Sequence, residues 1–136
     1  MLFTKASEYA LISLIFISQK DEPVDVDTMS NELKISKSFL AKILQSLAKE
    51  KILNSFKGAN GGFSLAKNPE NLSIKRIIEC VEKRPMSVFE CSSSKSDCPS
   101  KKASSCQIWS MFNLLQNRID DMLDNITLKD ITQKNG

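Results

Sequence analysis

Apolar residues return every three or four positions along most of the chain, and the breaks in that rhythm mark out its elements. Thr4 is placed to cap a first helix running from Lys5 to about Gln19. Tyr9, Leu11, Ile12, Leu14, Ile15 and Phe16 make it apolar almost all round, which predicts a central core helix. Asp21-Glu22-Pro23 ends it. Asp25 is placed to cap a short second helix, Val26 to Leu33, with Val26, Met29 and Leu33 on one stripe. Lys34-Ile35-Ser36 is then a tight turn. Ser36 caps a third helix, Lys37 to about Lys51, whose Leu40, Ile43, Leu44 and Leu47 form another stripe.

A short helix, a turn and a second amphipathic helix make a helix-turn-helix pattern. In that arrangement the second helix leads into the DNA major groove with its N-terminal residues, here Lys37, Ser38, Phe39, Ala41 and Lys42. Small and polar side chains suit base edges, and lysines suit phosphates. An αα-hairpin with a solvated outer face fits the same pattern. The next segment favours DNA. Ile52 to Lys57 predicts a strand, Gly58-Ala59-Asn60-Gly61-Gly62 a turn, and Phe63 to Ala66 a return strand. A hairpin directly after a recognition helix is the wing of a winged helix. Lys57 and the tip residues Asn60, Gly61 and Gly62 are its candidate contacts to the backbone or minor groove.

Asn68 to Asn71 predicts a turn. Ser73 is placed to cap a helix carrying Ile74, Ile77, Ile78 and Val81, with Cys80 beside that stripe as a small core residue. Lys83-Arg84-Pro85 closes it. The last helix spans about Ser104 to Asn125. Ile108, Phe112, Leu115, Ile119, Met122 and Ile126 follow a heptad-like seam, widened by Trp109, Met111 and Leu123. Such a helix predicts pairing with a second subunit, with packing on its own domain as the alternative. The polar end of the chain is expected to fray after Thr127-Leu128-Lys129-Asp130-Ile131.

Glu90 to Cys106 breaks every pattern. It is dense in Ser and Lys, has no apolar face, and carries Cys91, Cys98 and Cys106. Thiols there have no core to fill, which points to metal or redox chemistry. The chain has 136 residues, 41% of them hydrophobic, enough for one domain with a core. No stretch has the length of a membrane span, and the first residues lack the sections of a signal peptide. A cytoplasmic protein with reduced thiols is expected. Net charge is +3, unevenly spread. Residues 1–33 carry two Lys against six acids, whereas residues 34–67 carry seven Lys against one Glu. A cationic segment that coincides with the third helix and wing is what a nucleic-acid footprint requires.

With these motifs in hand, the chain resembles the Rrf-two family of bacterial transcription regulators, which includes iron–sulfur and nitric oxide sensors. The likeness rests on Ser7 to Leu11 (SEYAL), Ile35 to Leu44 (ISKSFLAKIL), Lys57 to Lys67 (KGANGGFSLAK), the three spaced cysteines and Thr127 to Ile131 (TLKDI). The resemblance implies a mainly α fold with a small β-hairpin wing: a winged helix-turn-helix domain plus a long C-terminal dimerisation helix. Residues 1–84 would be the DNA-binding domain, 85–107 the cysteine-rich cluster-binding loop, and 108–136 the dimerisation helix and tail. It also implies a homodimer on double-stranded operator DNA, and recognition by Ser38, Phe39, Ala41 and Lys57. Some relatives have an acid where this chain has Ala41, which bears on operator preference.

The resemblance further implies that Cys91, Cys98 and Cys106 ligate an iron–sulfur cluster, [2Fe-2S] or [4Fe-4S]. The spacing here, C-x6-C-x7-C, is slightly wider than is common in the family, and the chain has no His. Trp109 stands where some relatives place a ligating His. Clusters usually take four protein ligands. Glu8 is the candidate fourth, since some members use a carboxylate there from the other subunit. Gln107 and a small exogenous molecule are the other options, and a solvated Glu near a helix N-terminus is the plain alternative. Zinc suits three widely spaced cysteines poorly. Cluster state would then set operator binding in response to redox state, nitric oxide or iron–sulfur status. Two further readings stay open: thiol–disulfide switching by the same cysteines, and an electron carrier with no DNA role. No catalytic constellation is present, so neither enzyme activity, a small-molecule substrate nor a membrane partner is expected.

Overall fold

The computed structural model describes residues 3–59, 61–84 and 108–132. Three helices come first: α1 (Lys5–Ser18), α2 (Val26–Leu33) and α3 (Lys37–Lys49). A two-stranded antiparallel hairpin follows, β1 (Leu53–Phe56) and β2 (Gly62–Leu65), and then a 3-10 turn at Pro69–Asn71. The chain continues through α4 (Ile74–Glu82), α5 (Trp109–Asn125) and α6 (Leu128–Thr132). The architecture is the mainly helical one expected, with the hairpin as its only sheet among the described residues.

Helix starts follow the hydroxyl residues that precede the apolar runs. Thr4, Ser36 and Ser73 each accept a hydrogen bond from the backbone N–H three residues on, at Ser7, Phe39 and Arg76. Each satisfies an amide that the helix itself leaves unpaired. Asp25 takes the N-cap position of α2 in extended backbone, without a capping bond from its side chain.

Helix ends are less conventional. Lys34, Lys51 and Lys83 have φ of 59°, 62° and 59°, in the left-handed region where glycine is usual. A non-glycine residue there costs about 1–2 kcal/mol. At two of these positions the compensation is visible. The amide of Ile35 reaches back to the Ser30 carbonyl at 3.3 Å, and that of Ile52 to the Leu47 carbonyl at 2.9 Å. Both isoleucines are thereby turned into the core. This is why α3 stops at Lys49, before the expected Lys51: Ile52 must reverse direction to be buried.

The core gathers Leu14, Met29, Leu40, Leu44, Leu47, Ile52, Leu72, Ile77, Ile78 and Leu128. α1 lies at its centre and packs on α2, α3, β2, α4 and α6. The all-round apolar pattern did not single out an innermost face, and the structure does. Ser7, Ala10, Ser13, Leu14 and Ile17 are buried, while Tyr9, Leu11, Ile15 and Phe16 are half-buried and Ile12 is exposed. Small side chains on that face let α4 approach closely, and the Ser13 hydroxyl is satisfied by donating to the Tyr9 carbonyl at 2.7 Å.

The hairpin pairs Leu53 with Leu65 and Phe56 with Gly62, and one further bond, Ala66 N–H to the Ile52 carbonyl at 3.0 Å, extends the ladder. Its root is fixed from outside. Val24 and Phe63 exchange both backbone hydrogen bonds, at 2.9 and 2.8 Å, so the α1–α2 linker acts as a one-residue third strand.

The Thr127-to-Ile131 segment forms ordered structure. Thr127 and Asp130 make a reciprocal capping box, 2.9 and 3.4 Å, that starts α6. Backbone bonds from Ile74 to Ile126 and from Leu128 to Leu72, both 2.8 Å, stitch the segment to the start of α4. Residues 133–136 lie outside the described residues. α5 divides its apolar surface in two. Leu123 is buried and Ile119 and Ile126 are half-buried against the core on the side that meets α4, whereas Ile108, Met111, Leu114, Leu115 and Met122 are exposed.

Candidate nucleic-acid interface

α2 and α3 pack together across the turn at Lys34–Ser36, and the wing follows α3 directly. Leu40, Ile43, Leu44 and Leu47 turn inward, which leaves the other face of α3 to solvent. Lys37, Ser38, Phe39, Lys42 and Gln45 are exposed there, and Ala41 is half-buried. Lys57, Gly58 and Ala59 are exposed on the wing, while Gly61 and Gly62 are half-buried. Asn60 lies outside the described residues. The sequence-predicted lysines and Ser38 therefore share an accessible face or edge with the hairpin beside it.

Two of the named residues have partners that the sequence did not reveal. The Phe39 ring meets Tyr9 of α1 edge-on, centroids 5.6 Å apart at 87°. That contact orients α3 on α1 and occupies part of the ring. Lys37 pairs with Asp27 of α2, Nζ to Oδ1 2.7 Å, and the carboxylate raises the lysine above its ordinary pKa. Asp27, with Glu22 and Asp25, lines a cleft of about 990 Å³ whose other wall is the wing, including Ser55, Phe56, Gly58 and Gly61. Asp25 is itself held below the usual carboxylate range, chiefly by a hydrogen bond from the Thr28 side chain. The sequence reading gave these acids, and the exposed ring of Phe56 in the same cleft, no part in the interface. The only hint was the excess of acids before residue 34.

Cys91, Cys98 and Cys106 lie outside the described residues, as does Gln107. The described residues hold no group of three or more His, Cys, Asp or Glu side chains able to bind a metal. Glu8 is described. It is half-exposed in the first turn of α1 and pairs with Lys5 at 3.2 Å. Ser7 donates to the Glu82 carboxylate at 2.7 Å, and Thr4 donates to the same oxygen. The first turn of α1 is thereby tied to the last turn of α4, nine residues in sequence before Cys91. By their chemistry, three thiols in one segment and an accessible carboxylate such as Glu8 are donor types that fit an iron–sulfur cluster.

Cys80 is distinct from that set. It is half-buried in α4, with its thiol 3.5 Å from the Ser46 carbonyl. Burial, and then the charge of Glu50, push its pKa up, against the opposing pull of Arg76 and Lys83. Burial therefore disfavours the thiolate, the nucleophilic form. Peptide mapping after iodoacetamide treatment at pH 7 is expected to show Cys80 labelled more slowly in the native protein than in urea. Equal rates would contradict this placement.

Among the described residues no helix is long and apolar enough to cross a membrane. Comparison with known proteins places this geometry. The Rrf2 family model, described as an iron-dependent transcriptional regulator, matches residues 3–134. The HTH-type transcriptional regulator NsrR of Bacillus licheniformis is 31% identical over 134 residues, covering 96% of this chain and 92% of that protein. Among solved structures, oxidised CymR of Staphylococcus aureus superposes with a TM-score of 0.74 at 22% identity, covering 100% of this chain and 99% of that one. IscR of T. potens gives 0.71 at 22%, covering 96% and 85%. The winged-helix fold, the family match over nearly the whole chain and relatives that are regulators rather than enzymes lead to one conclusion: the chain belongs to the Rrf2 family of transcriptional regulators.

Proposed function

We propose that the protein is a homodimeric, cytoplasmic regulator that binds double-stranded operator DNA, and that an iron–sulfur cluster on Cys91, Cys98 and Cys106 controls that binding. The observation that carries the DNA reading is the solvent-facing leading turn of α3 beside a glycine-rich wing. Lys37, Lys42 and Lys57 meet phosphates, Ser38 and Ala41 approach base edges, and Asn60 and Gly61 are the candidate backbone or minor-groove contacts of the wing, with Gly62 holding β2 against Val24. Phe39 serves chiefly to seat α3 on Tyr9. The exposed stripe of α5 pairs two subunits and so sets the spacing of the two α3 helices, which must match half-sites about 34 Å apart.

Glu8 supports the sensing role as the fourth, oxygen ligand, contributed to the cysteines of the other subunit. When bound, the cluster supplies a site that oxidants or nitric oxide attack readily, because one of its ligands is a weakly held oxygen. What the chain's own residues do is mechanical. Thr4 and Ser7 fix the first turn of α1 to Glu82, so a change at Glu8 or at residues 85–107 bears on α1, and α1 touches α3 through Tyr9 and Phe39. Populations of DNA-competent dimers shift accordingly.

A second reading keeps DNA binding and replaces the cluster with a thiol–disulfide switch between two of the three cysteines. The oxidised CymR structure among the fold neighbours favours considering it. Anaerobic purification separates the two. A brown protein with matching iron and acid-labile sulfide, whose holo and apo forms differ in duplex affinity at one salt concentration, is expected. Colourless protein after reconstitution, or equal affinities, would sink cluster control and leave the thiol switch.

A further inference from the structure

Lys37 is the first residue of α3 and the first cation that the leading end of the helix offers to DNA. It is also the lysine of that face that is already matched. Its amine sits 2.7 Å from Asp27, both side chains about two-thirds exposed, and Asp25 adds a weaker pull from the same side. Lys42 and Lys57 have no such ion pair among the described residues. An acid near the start of α2 is also favourable for the helix dipole. That role alone does not aim its carboxylate across the turn at another helix.

Sequence-independent binding to DNA rests almost wholly on phosphate contacts, while specific binding adds base edges. Cancelling one lysine therefore weakens the first more than the second. An exposed ion pair is held loosely in water, so a phosphate brought to the same distance can replace the carboxylate. Only a duplex seated with α3 deep in its major groove brings a phosphate that close. A loosely held duplex leaves Lys37 with Asp27.

We propose that Asp27 is a specificity-determining residue of the DNA interface, withholding Lys37 from phosphates until a duplex is fully seated. The proposal rests on the DNA-binding reading above. The test uses the full chain, a duplex of random sequence and duplexes that the protein itself selects from a random pool. Affinity is followed by fluorescence anisotropy between about 50 and 200 mM salt. Asp27→Asn is expected to steepen the salt dependence for the random duplex by about 0.9 in slope, one phosphate contact, and to tighten it about threefold. The selected duplex keeps its slope, so discrimination falls about threefold. In a Lys37→Gln background the gain disappears.

An unchanged slope, equal tightening of both duplexes, or a gain that survives Lys37→Gln would overturn the proposal, the last two indicating plain charge repulsion. A structural role alone would move the melting temperature and leave the slope. Asp27→Ser, which keeps a short polar side chain at the start of α2, carries the same expectations should Asp27→Asn fold poorly. Wild-type protein that shows no salt-dependent binding and selects no sequence would defeat the DNA reading itself, an outcome separate from the others.

Discussion

Gly62→Ala is expected to cost about 2–4 kcal/mol of stability and to weaken duplex binding in whatever protein still folds. Gly62 has φ of 145°, and a Cβ there would lie 2.5 Å from the carbonyl carbon and oxygen of Val24 and 2.8 Å from the amide of Asp25. All three are backbone atoms, so no side chain can rotate out of the way. Relief requires the hairpin to leave the α1–α2 linker and break the paired Val24–Phe63 hydrogen bonds. The wing would then lose its fixed angle to α3. Gly58→Ala provides the contrast. Its φ of 99° carries the same kind of strain, but nothing lies within 4 Å of the added carbon. About 1–2 kcal/mol is expected there, with the wing in place. Urea unfolding of the two variants measures the difference. A Gly62→Ala protein no less stable than Gly58→Ala would show that the linker contact does not hold the wing.

The sequence made the helix starts plain and the helix ends obscure, for a physical reason. A capping hydroxyl acts within three residues, so Thr4, Ser36 and Ser73 announce their helices locally. The ends at Lys34, Lys51 and Lys83 use a left-handed lysine without the glycine that would signal it. What holds two of them is burial of the following isoleucine, a tertiary effect. α1 was legible as a central core helix, but an almost all-round apolar surface does not show which face is innermost, and the small side chains that decide how close α4 comes give no hydrophobic signal. Pairing of residues 126–128 with residues 72–74 joins segments more than fifty residues apart and leaves no local mark.

The site divides in the same way. The lysines and Ser38 on α3 follow from helical periodicity once the turn is recognised. Asp27 does not, because its contact with Lys37 crosses that turn, ten residues apart. Phe39 was legible as exposed, and it is, but its partner Tyr9 sits thirty residues earlier. The cysteine segment was the clearest chemical signal in the sequence, and its three ligand candidates lie outside the described residues.

The heptad-like seam on α5 was read as one surface, and the fold splits it. Leu123 faces α4, while Met111, Leu115 and Met122 stay in solvent on a helix rich in apolar side chains. An exposed apolar stripe of this length is costly unless something covers it. A second copy of the same helix is the occupant that symmetric pairing supplies. Met111→Glu with Leu115→Glu is therefore expected to give a folded monomer. Both side chains are largely exposed, so the melting temperature should move little. Duplex affinity should fall by about 100-fold or more, because the second α3 is no longer linked to the first. Leu123→Ala separates packing from pairing: it leaves a cavity against α4, costs about 2–5 kcal/mol, and should leave the dimer intact. Sedimentation velocity reads both. A double variant that remains a dimer with undiminished duplex affinity would move the subunit interface off α5, and with it the argument that this helix sets the spacing between the two recognition helices.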